Sequence, residues 1–188
     1  MTMNTIAHKG GKSNADWVNR EDIYKTFQFM FDDENELREV FVTFKSGRVV
    51  GAFKRDEADK LIAALNRYQE KWEAAYIGLN PTTKETLKRG TLSAGYRSND
   101  GDIQRYARLL IDFDRTKVYK DQGNATEDEL AKCYEVAVKC REDLLKRGIT
   151  TALACSGNGY HLLVKTDMGK DERWRLFRND HPRLLHRL

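Results

Sequence analysis

Two aspartates, Asp112 and Asp114, stand within and at the end of an apolar run that reads LLIDFD. Side chains two positions apart on a strand point to the same face of a sheet, so both carboxylates would project together while Ile111 and Phe113 face a core. Adjacent carboxylates repel each other unless a cation lies between them, and such oxygen ligands suit Mg²⁺ or Mn²⁺. A structural alternative is that Asp114 caps a loop and Asp112 pairs with a surface arginine. The pattern alone leaves both interpretations open.

A second group of chemically capable residues lies in the segment SGNGYH. Gly157 and Gly159 would let backbone N–H groups approach a phosphate, and Ser156 would add a hydroxyl donor. His161 would then be placed to donate to a triphosphate oxygen. The structural alternative is a four-residue hairpin in which Asn158 and its glycine neighbours satisfy the turn, with His161 a half-exposed strand residue. If the two groups lie on neighbouring strands, they converge at one edge of one sheet.

The elements that must position these residues follow from the spacing of apolar residues. Helical spacing predicts one helix from about Asn19, a second from Asp56 with a stripe that reaches Trp72, and a third over residues 126–147. Apolar runs bounded by turn residues predict strands at 39–44, 48–53, 74–80, 109–114, 150–156 and 160–166. This order predicts an α+β fold with helices packed on one face of a mainly antiparallel sheet.

Composition limits the class of protein. The chain has 188 residues, 40% of them hydrophobic, which is enough for one compact domain over residues 19–188 after a flexible lead-in of residues 1–18. Charged residues reach 33%, but the formal net charge of +4 suits a polyanionic partner without requiring one. The sequence has no apolar run of membrane-spanning length, no signal-peptide core and no CxxC pair among its three cysteines. We therefore expect a cytoplasmic protein with reduced thiols and without a disulfide framework or zinc site.

Together, the two groups resemble the motifs of the archaeo-eukaryotic primase (AEP) superfamily, and more closely those of the primase-polymerase domains of plasmids, phages and mobile elements. The DFD of residues 112–114 matches the first family motif, and Ser156 with His161 matches the second. The run NDGDIQRYARLLIDFD and the strand YIGLNP are also similar to the family, and the resemblance covers about residues 37–170. It implies an RRM-like catalytic core.

The resemblance also implies a function: a DNA primase or DNA-directed polymerase domain, acting in DNA replication. It would transfer nucleotides from nucleoside triphosphates onto a primer on a single-stranded DNA template, with a replicative helicase as a further candidate partner and no membrane. Asp112 and Asp114 would hold two Mg²⁺ or Mn²⁺ ions about 4 Å apart, with His161 as the third catalytic residue. The residues implied to bind nucleotide are Ser156, Gly157, Asn158, Gly159, His161 and Lys165. The basic residues implied to contact nucleic acid are Arg105, Arg108, Arg115 and Lys117.

The chain departs from the family pattern in two places. Many relatives carry a proline and an arginine after the first motif, whereas this chain has Arg115, Thr116 and Lys117, and Lys117 would replace that arginine as a point charge. The family's third metal-binding carboxylate lies on a later strand, but residues 167–188 contain no convincing strand. We therefore expect the domain to be incomplete at its C-terminus. Two other functions stay open: a non-catalytic module that binds nucleotide or single-stranded DNA, and a metal-dependent nuclease.

Overall fold

The computed structural model describes residues 3–8, 18–68, 72–115 and 123–169. In these residues the strands are β1 Met3–His8, β2 Arg38–Phe44, β3 Gly47–Phe53, β4 Trp72–Gly78, β5 Tyr106–Asp114, β6 Thr151–Cys155 and β7 Gly159–Met168. The helices are α1 Arg20–Met30, α2 Ala58–Arg67 and α3 Glu127–Lys146. None of these helices is both long enough and apolar enough to cross a membrane. The expected α+β class is confirmed.

The strands form two antiparallel sheets rather than the single sheet expected from the sequence. The first sheet has the order β1-β4-β2-β3, and the second has the order β5-β7-β6. Both edges of β4 are already occupied, by β1 and β2, so β5 cannot pair with the strand that precedes it in the chain, and it pairs with β7 in a second sheet. Which edges are free depends on long-range pairing, and the order of strands along the chain does not reveal it.

Strand β1 lies in the segment expected to be a flexible lead-in. Its backbone pairs antiparallel with β4, with Met3 opposite Gly78 and His8 opposite Ala74. This pairing provides partners for backbone groups of both strands, and the low apolar content of the segment gave no sign of it. Residues 1–2 and 9–17 of the expected lead-in lie outside the described residues.

Helices α1 and α2 cover one face of the first sheet, as their apolar spacing predicts. Asn19 caps α1, because its side chain accepts a hydrogen bond from the backbone N–H of Asp22 at 3.2 Å. The helices and strands share one core, whose fully buried members include Ile23, Phe27, Val40, Phe53, Leu61, Leu65 and Ile77. The expected continuation of the second helix to Trp72 is wrong: α2 ends at Arg67, and Trp72 begins β4. A buried aromatic residue fits a helical stripe or the start of a strand equally well, so spacing alone did not separate the two.

Helix α3 covers one face of the second sheet. It begins at the capping box that the sequence predicts, with Thr126 and Glu129 bonded to each other's backbone N–H groups. Tyr134 of α3 contacts Tyr160 of β7 with ring centroids 5.2 Å apart, so α3 lies on the face that carries Tyr160. The opposite face packs on the core of the first sheet through the buried Leu163. The second sheet is therefore held between α3 and the rest of the protein.

The strand that carries the two aspartates is an edge strand in the part of the chain that the structure describes, where its only ladder partner is β7. The expectation that Ile111 and Phe113 face a core is therefore wrong for Ile111, which is 37% exposed, while Phe113 is half-buried. Leu109 is 43% exposed on the same face. An apolar run predicts burial, but at an edge strand part of that surface stays in contact with water.

Candidate active site

Strand pairing brings the two groups of chemically capable residues together. In the ladder between β5 and β7, Asp112 lies opposite His161, and Asp114 lies opposite Gly159. Residues opposite each other in a ladder share a face of the sheet, so both carboxylates and the imidazole lie on one face. The Nε2 atom of His161 is 3.5 Å from Oδ1 of Asp112. This face is the one that packs on the protein core further along the strands, on the side opposite to α3.

The exposure of these side chains explains how the chain tolerates two neighbouring acids. The side chain of Asp112 is 57% exposed, whereas that of His161 is 15% exposed. Asp114 is also exposed, at the last position of β5. Solvent therefore screens the repulsion between the carboxylates, and neither acid pays a large desolvation penalty. Strand β5 is buried near its beginning and exposed near its end, and the two acids lie in the exposed part.

The turn between β6 and β7 is the hairpin of the structural alternative. The backbone N–H of Ser156 donates to the carbonyl of Gly159 at 3.0 Å, and Gly157 has a φ of +92°, which glycine adopts without strain. A Cβ atom on Gly159 would lie 3.2 Å from the Cα of Asp114 and closer than 3.0 Å to the carbonyl oxygen of Phe113. The structure thus requires glycine at both positions: Gly157 because of its backbone conformation in the turn, and Gly159 because two strands approach each other closely there. The predicted phosphate contacts of the turn stay a prediction.

Three basic residues that were expected to bind nucleotide or nucleic acid form a network around Asp32 instead. Asp32 lies just after α1. Arg108 donates from both terminal nitrogens to the two oxygens of Asp32 at 2.9 Å. Lys165 reaches Asp32 at 2.7 Å, and Arg105 reaches it at 2.8 Å. Burial raises the pKa of Asp32, but the hydrogen bonds from these three cations outweigh burial and lower the pKa well below its usual range.

This network changes the interpretation of Arg108 and Lys165. Arg108 is fully buried and also donates to the carbonyl of Phe29, so its placement argues against a contact with nucleic acid. Lys165 is four positions beyond His161 on β7, about 13 Å away at the rise of a strand, so it lies beside Asp32 and not beside the turn. Sequence reasoning missed Asp32, because its arginine partners are 73 and 76 residues away along the chain.

Two further residues with expected site roles are bonded within the protein. The Arg115 guanidinium donates to the carbonyl of Gly123 and lies 3.6 Å from a carboxylate oxygen of Glu129. The side-chain oxygen of Asn158 accepts from the backbone N–H of Ala125 at 2.9 Å. Lys117, the remaining basic residue expected at this site, lies outside the described residues.

The donor atoms at the site fit a hard divalent cation but do not enclose one. Within residues 3–8, 18–68, 72–115 and 123–169, no three or more His, Cys, Asp or Glu side chains are grouped so that they could hold a metal ion. Mg²⁺ is commonly bound through one or two carboxylates and completes its shell with water and substrate phosphates. Asp112 and Asp114 match that partial set of ligands. The segment expected to lack the third carboxylate is described only as far as residue 169.

Comparison of the chain with protein-family models, with curated proteins and with solved structures found no match. The likeness to primase-polymerase motifs therefore stays a prediction from the sequence, and the functional assignment rests on these motifs and on the geometry of the two strands.

Proposed function

We propose that the chain is a primase-polymerase domain, which transfers nucleotides from nucleoside triphosphates onto a primer in a reaction that depends on Mg²⁺ or Mn²⁺. The observation that carries the proposal is the register of β5 and β7, which sets Asp112 opposite His161 on the face that also carries Asp114. A slip of one residue in this register would turn His161 to the other face from the acids. The meeting of two motifs 40 or more residues apart on one exposed face is what a shared site requires.

Each residue has a role that its surroundings support. Asp112 and Asp114 would hold the divalent ions, which when bound would neutralise phosphate charge and lower the pKa of the primer hydroxyl. His161 is held beside Asp112 and would donate to a phosphate oxygen. The Ser156 hydroxyl is half-exposed at the turn and would add a second donor, whereas the backbone N–H of Ser156 is already bonded to Gly159.

The reaction requires little covalent chemistry from the protein. The primer 3′-hydroxyl would attack the α-phosphorus, a new phosphate ester bond would form as the bond to the β-phosphate breaks, and pyrophosphate would leave. Positioning and neutralisation of charge account for most of the barrier reduction in such transfers. Both can be supplied by a carboxylate pair and polar donors on one rigid sheet.

Extension of a primed template with radiolabelled nucleotide tests this proposal. We expect incorporation with Mg²⁺ or Mn²⁺ that is lost in Asp112→Ala and retained in Glu142→Ala, a control that removes an exposed acid from α3. Equal incorporation by Asp112→Ala and the unaltered chain would overturn the assignment of the site. Degradation of the DNA in the absence of added nucleotide would mean that the chain is a nuclease and not a polymerase. Binding of single-stranded DNA or nucleotide without either reaction would mean that the chain is a non-catalytic binding module.

The role of His161 has its own test. We expect His161→Ala to weaken the binding of a nucleoside triphosphate more than that of the monophosphate, because the imidazole is assigned to the outer phosphates. His161→Gln keeps a side-chain donor and should recover part of the loss. Calorimetric titrations that show equal losses for the two nucleotides would contradict the assigned role.

A further inference from the structure

The candidate site is tied at two points to one neighbouring stretch of chain, residues 123–129, which we term the anchor segment. It comprises the loop before α3 and the first turn of that helix. One tie comes from Arg115, directly after the aspartate strand. The other comes from Asn158, inside the turn that precedes His161. Both residues were expected from the sequence to contact nucleic acid or nucleotide.

Arg115 fixes the end of β5. Its side chain is 7% exposed, and its guanidinium bonds to the carbonyl of Gly123 and pairs with Glu129. Its backbone N–H donates to Oδ1 of Asp114 at 3.0 Å, so the position of Arg115 bears directly on the orientation of that carboxylate. Because β5 pairs only with β7 among the described strands, its last residue would fray without such a tie.

Asn158 fixes the turn. Its side-chain oxygen accepts a hydrogen bond from the backbone N–H of Ala125, one position before the cap of α3. The amide therefore acts as an acceptor toward the protein. A phosphate would be bound through the Nδ2 donors of the same amide, which the bond to Ala125 does not use, so the two roles must be separated by substitution.

The anchor segment is itself firmly held. Glu129 accepts from the backbone N–H of Thr126 at 2.8 Å, and the Thr126 side chain accepts from the backbone N–H of Glu129. Hydrogen bonds from Thr126, although opposed by partial burial, and the nearby charge of Arg115 lower the pKa of Glu129, so this carboxylate is ionised at neutral pH. The helix that follows buries Cys133 and Ala137. A rigid body of this kind can hold two neighbouring elements at a fixed separation.

We infer that Arg115 and Asn158 are positioning residues, which act through the anchor segment to set the distance between Asp114 and the turn that precedes His161. The inference rests on the proposed function and deepens it. It assigns Arg115 to the support of the metal-binding carboxylates and not to the template, and it assigns Asn158 to the placement of the turn and not to the triphosphate. Groups that orient metal ligands commonly change metal affinity or activity by about 10- to 100-fold when removed.

Mn²⁺ binding to the whole chain, measured by electron paramagnetic resonance of the free ion, tests the role of Arg115. We expect Arg115→Gln to weaken Mn²⁺ binding about tenfold while the affinity for single-stranded DNA and its salt dependence stay unchanged. Arg141→Gln, which removes an exposed arginine from α3, is the matched control and should alter neither. Weaker DNA binding with normal Mn²⁺ affinity would overturn the inference, because it would make Arg115 a nucleic-acid contact.

A pair of substitutions separates the two roles of Asn158. Asn158→Ala removes the acceptor for Ala125 and should weaken Mn²⁺ binding about tenfold, whereas Asn158→Asp keeps the acceptor and should bind Mn²⁺ and nucleoside triphosphate within about threefold of the unaltered chain. If Asn158 instead donates to the triphosphate, the aspartate variant should lose nucleotide affinity by repulsion. That result would overturn the inference for this residue.

The unaltered chain separates failure of the inference from failure of the proposed function. If it binds Mn²⁺ and all of these variants match it, only the positioning role is overturned. If it binds no Mn²⁺, the proposed function is overturned, and the positioning role is overturned with it.

Discussion

Substitution of Gly159 by alanine should damage both the stability and the site of this protein. The added Cβ would come closer than 3.0 Å to the carbonyl oxygen of Phe113 and to 3.2 Å from the Cα of Asp114. Both atoms belong to the backbone of β5 and cannot rotate away as a flexible side chain would. To restore ordinary contact distances of about 3.5 Å or more, β5 and β7 must separate at this pair by roughly 1 Å.

The size of the effect follows from that separation. Overpacking in a well-packed region costs about 1–3 kcal/mol, and a weakened backbone hydrogen bond adds about 1 kcal/mol. We therefore expect Gly159→Ala to lower the free energy of unfolding by about 2–4 kcal/mol. The same movement displaces Asp114 relative to Asp112, so Mn²⁺ affinity should fall about tenfold or more.

Urea unfolding followed by circular dichroism, together with Mn²⁺ titration below the transition, measures both effects. Gly148→Ala is the control: this glycine has a φ of +75° after α3, and a Cβ there would meet no atom within 4 Å. The control should lose about 1–2 kcal/mol through its backbone conformation alone and keep its Mn²⁺ affinity. If Gly159→Ala unfolds within about 0.5 kcal/mol of the unaltered chain, the close approach of the two strands does not restrict this position, and the reasoning is wrong.

Three further results are expected. Asp32→Asn should lower the free energy of unfolding by about 3 kcal/mol, because three cations lose their shared carboxylate. Since the pKa of Asp32 is lowered in the folded protein, this stabilisation is fully present above the unfolded value of 3.8 and declines as the pH falls from that value toward the lowered folded pKa; a difference in stability between the two chains that is as large at pH 2 as at pH 6 would contradict the linkage. Leu163→Ala should lower the free energy of unfolding by about 3 kcal/mol, whereas Leu109→Ala should lower it by less than about 1 kcal/mol, because Leu109 is already 43% exposed. Equal losses for the two variants in urea unfolding would contradict the placement of Leu163 in the core. Iodoacetamide should modify Cys155 before Cys133, because Cys155 is exposed, whereas burial and nearby acids raise the pKa of the buried Cys133 thiol; the reverse order by mass spectrometry would refute this.

Local features of the sequence were sufficient to predict the helices and most strands. The cap at Asn19 and the capping box of Thr126 and Glu129 involve residues three positions apart, and both are found where the sequence predicts them. Alternation along the strand likewise predicted that Asp112 and Asp114 share a face. These features depend on neighbours along the chain, which the sequence displays directly.

The remaining features depend on contacts between distant residues. That β5 does not pair with the preceding strand follows from the occupied edges of β4, and the exposure of Ile111 follows from the edge position of its strand. The ion pairs of Arg108 with Asp32 and of Arg115 with Glu129 depend on how the helices pack beside the strands. A basic residue beside an acidic motif looks the same in the sequence whether it serves a ligand or an internal carboxylate.

The edge position of β5 also bears on how this protein behaves at high concentration. Among the described strands β5 pairs only with β7, and it carries Leu109 and Ile111 on its surface; such an edge is a template onto which a strand of another molecule can add. Natural proteins commonly guard such edges with lysine or proline, and the stretch LLIDF has neither. Asp112 within this stretch and Asp114 directly after it are then exposed charges that oppose aggregation along this edge, and replacing them by neutral residues for functional tests will also lower solubility.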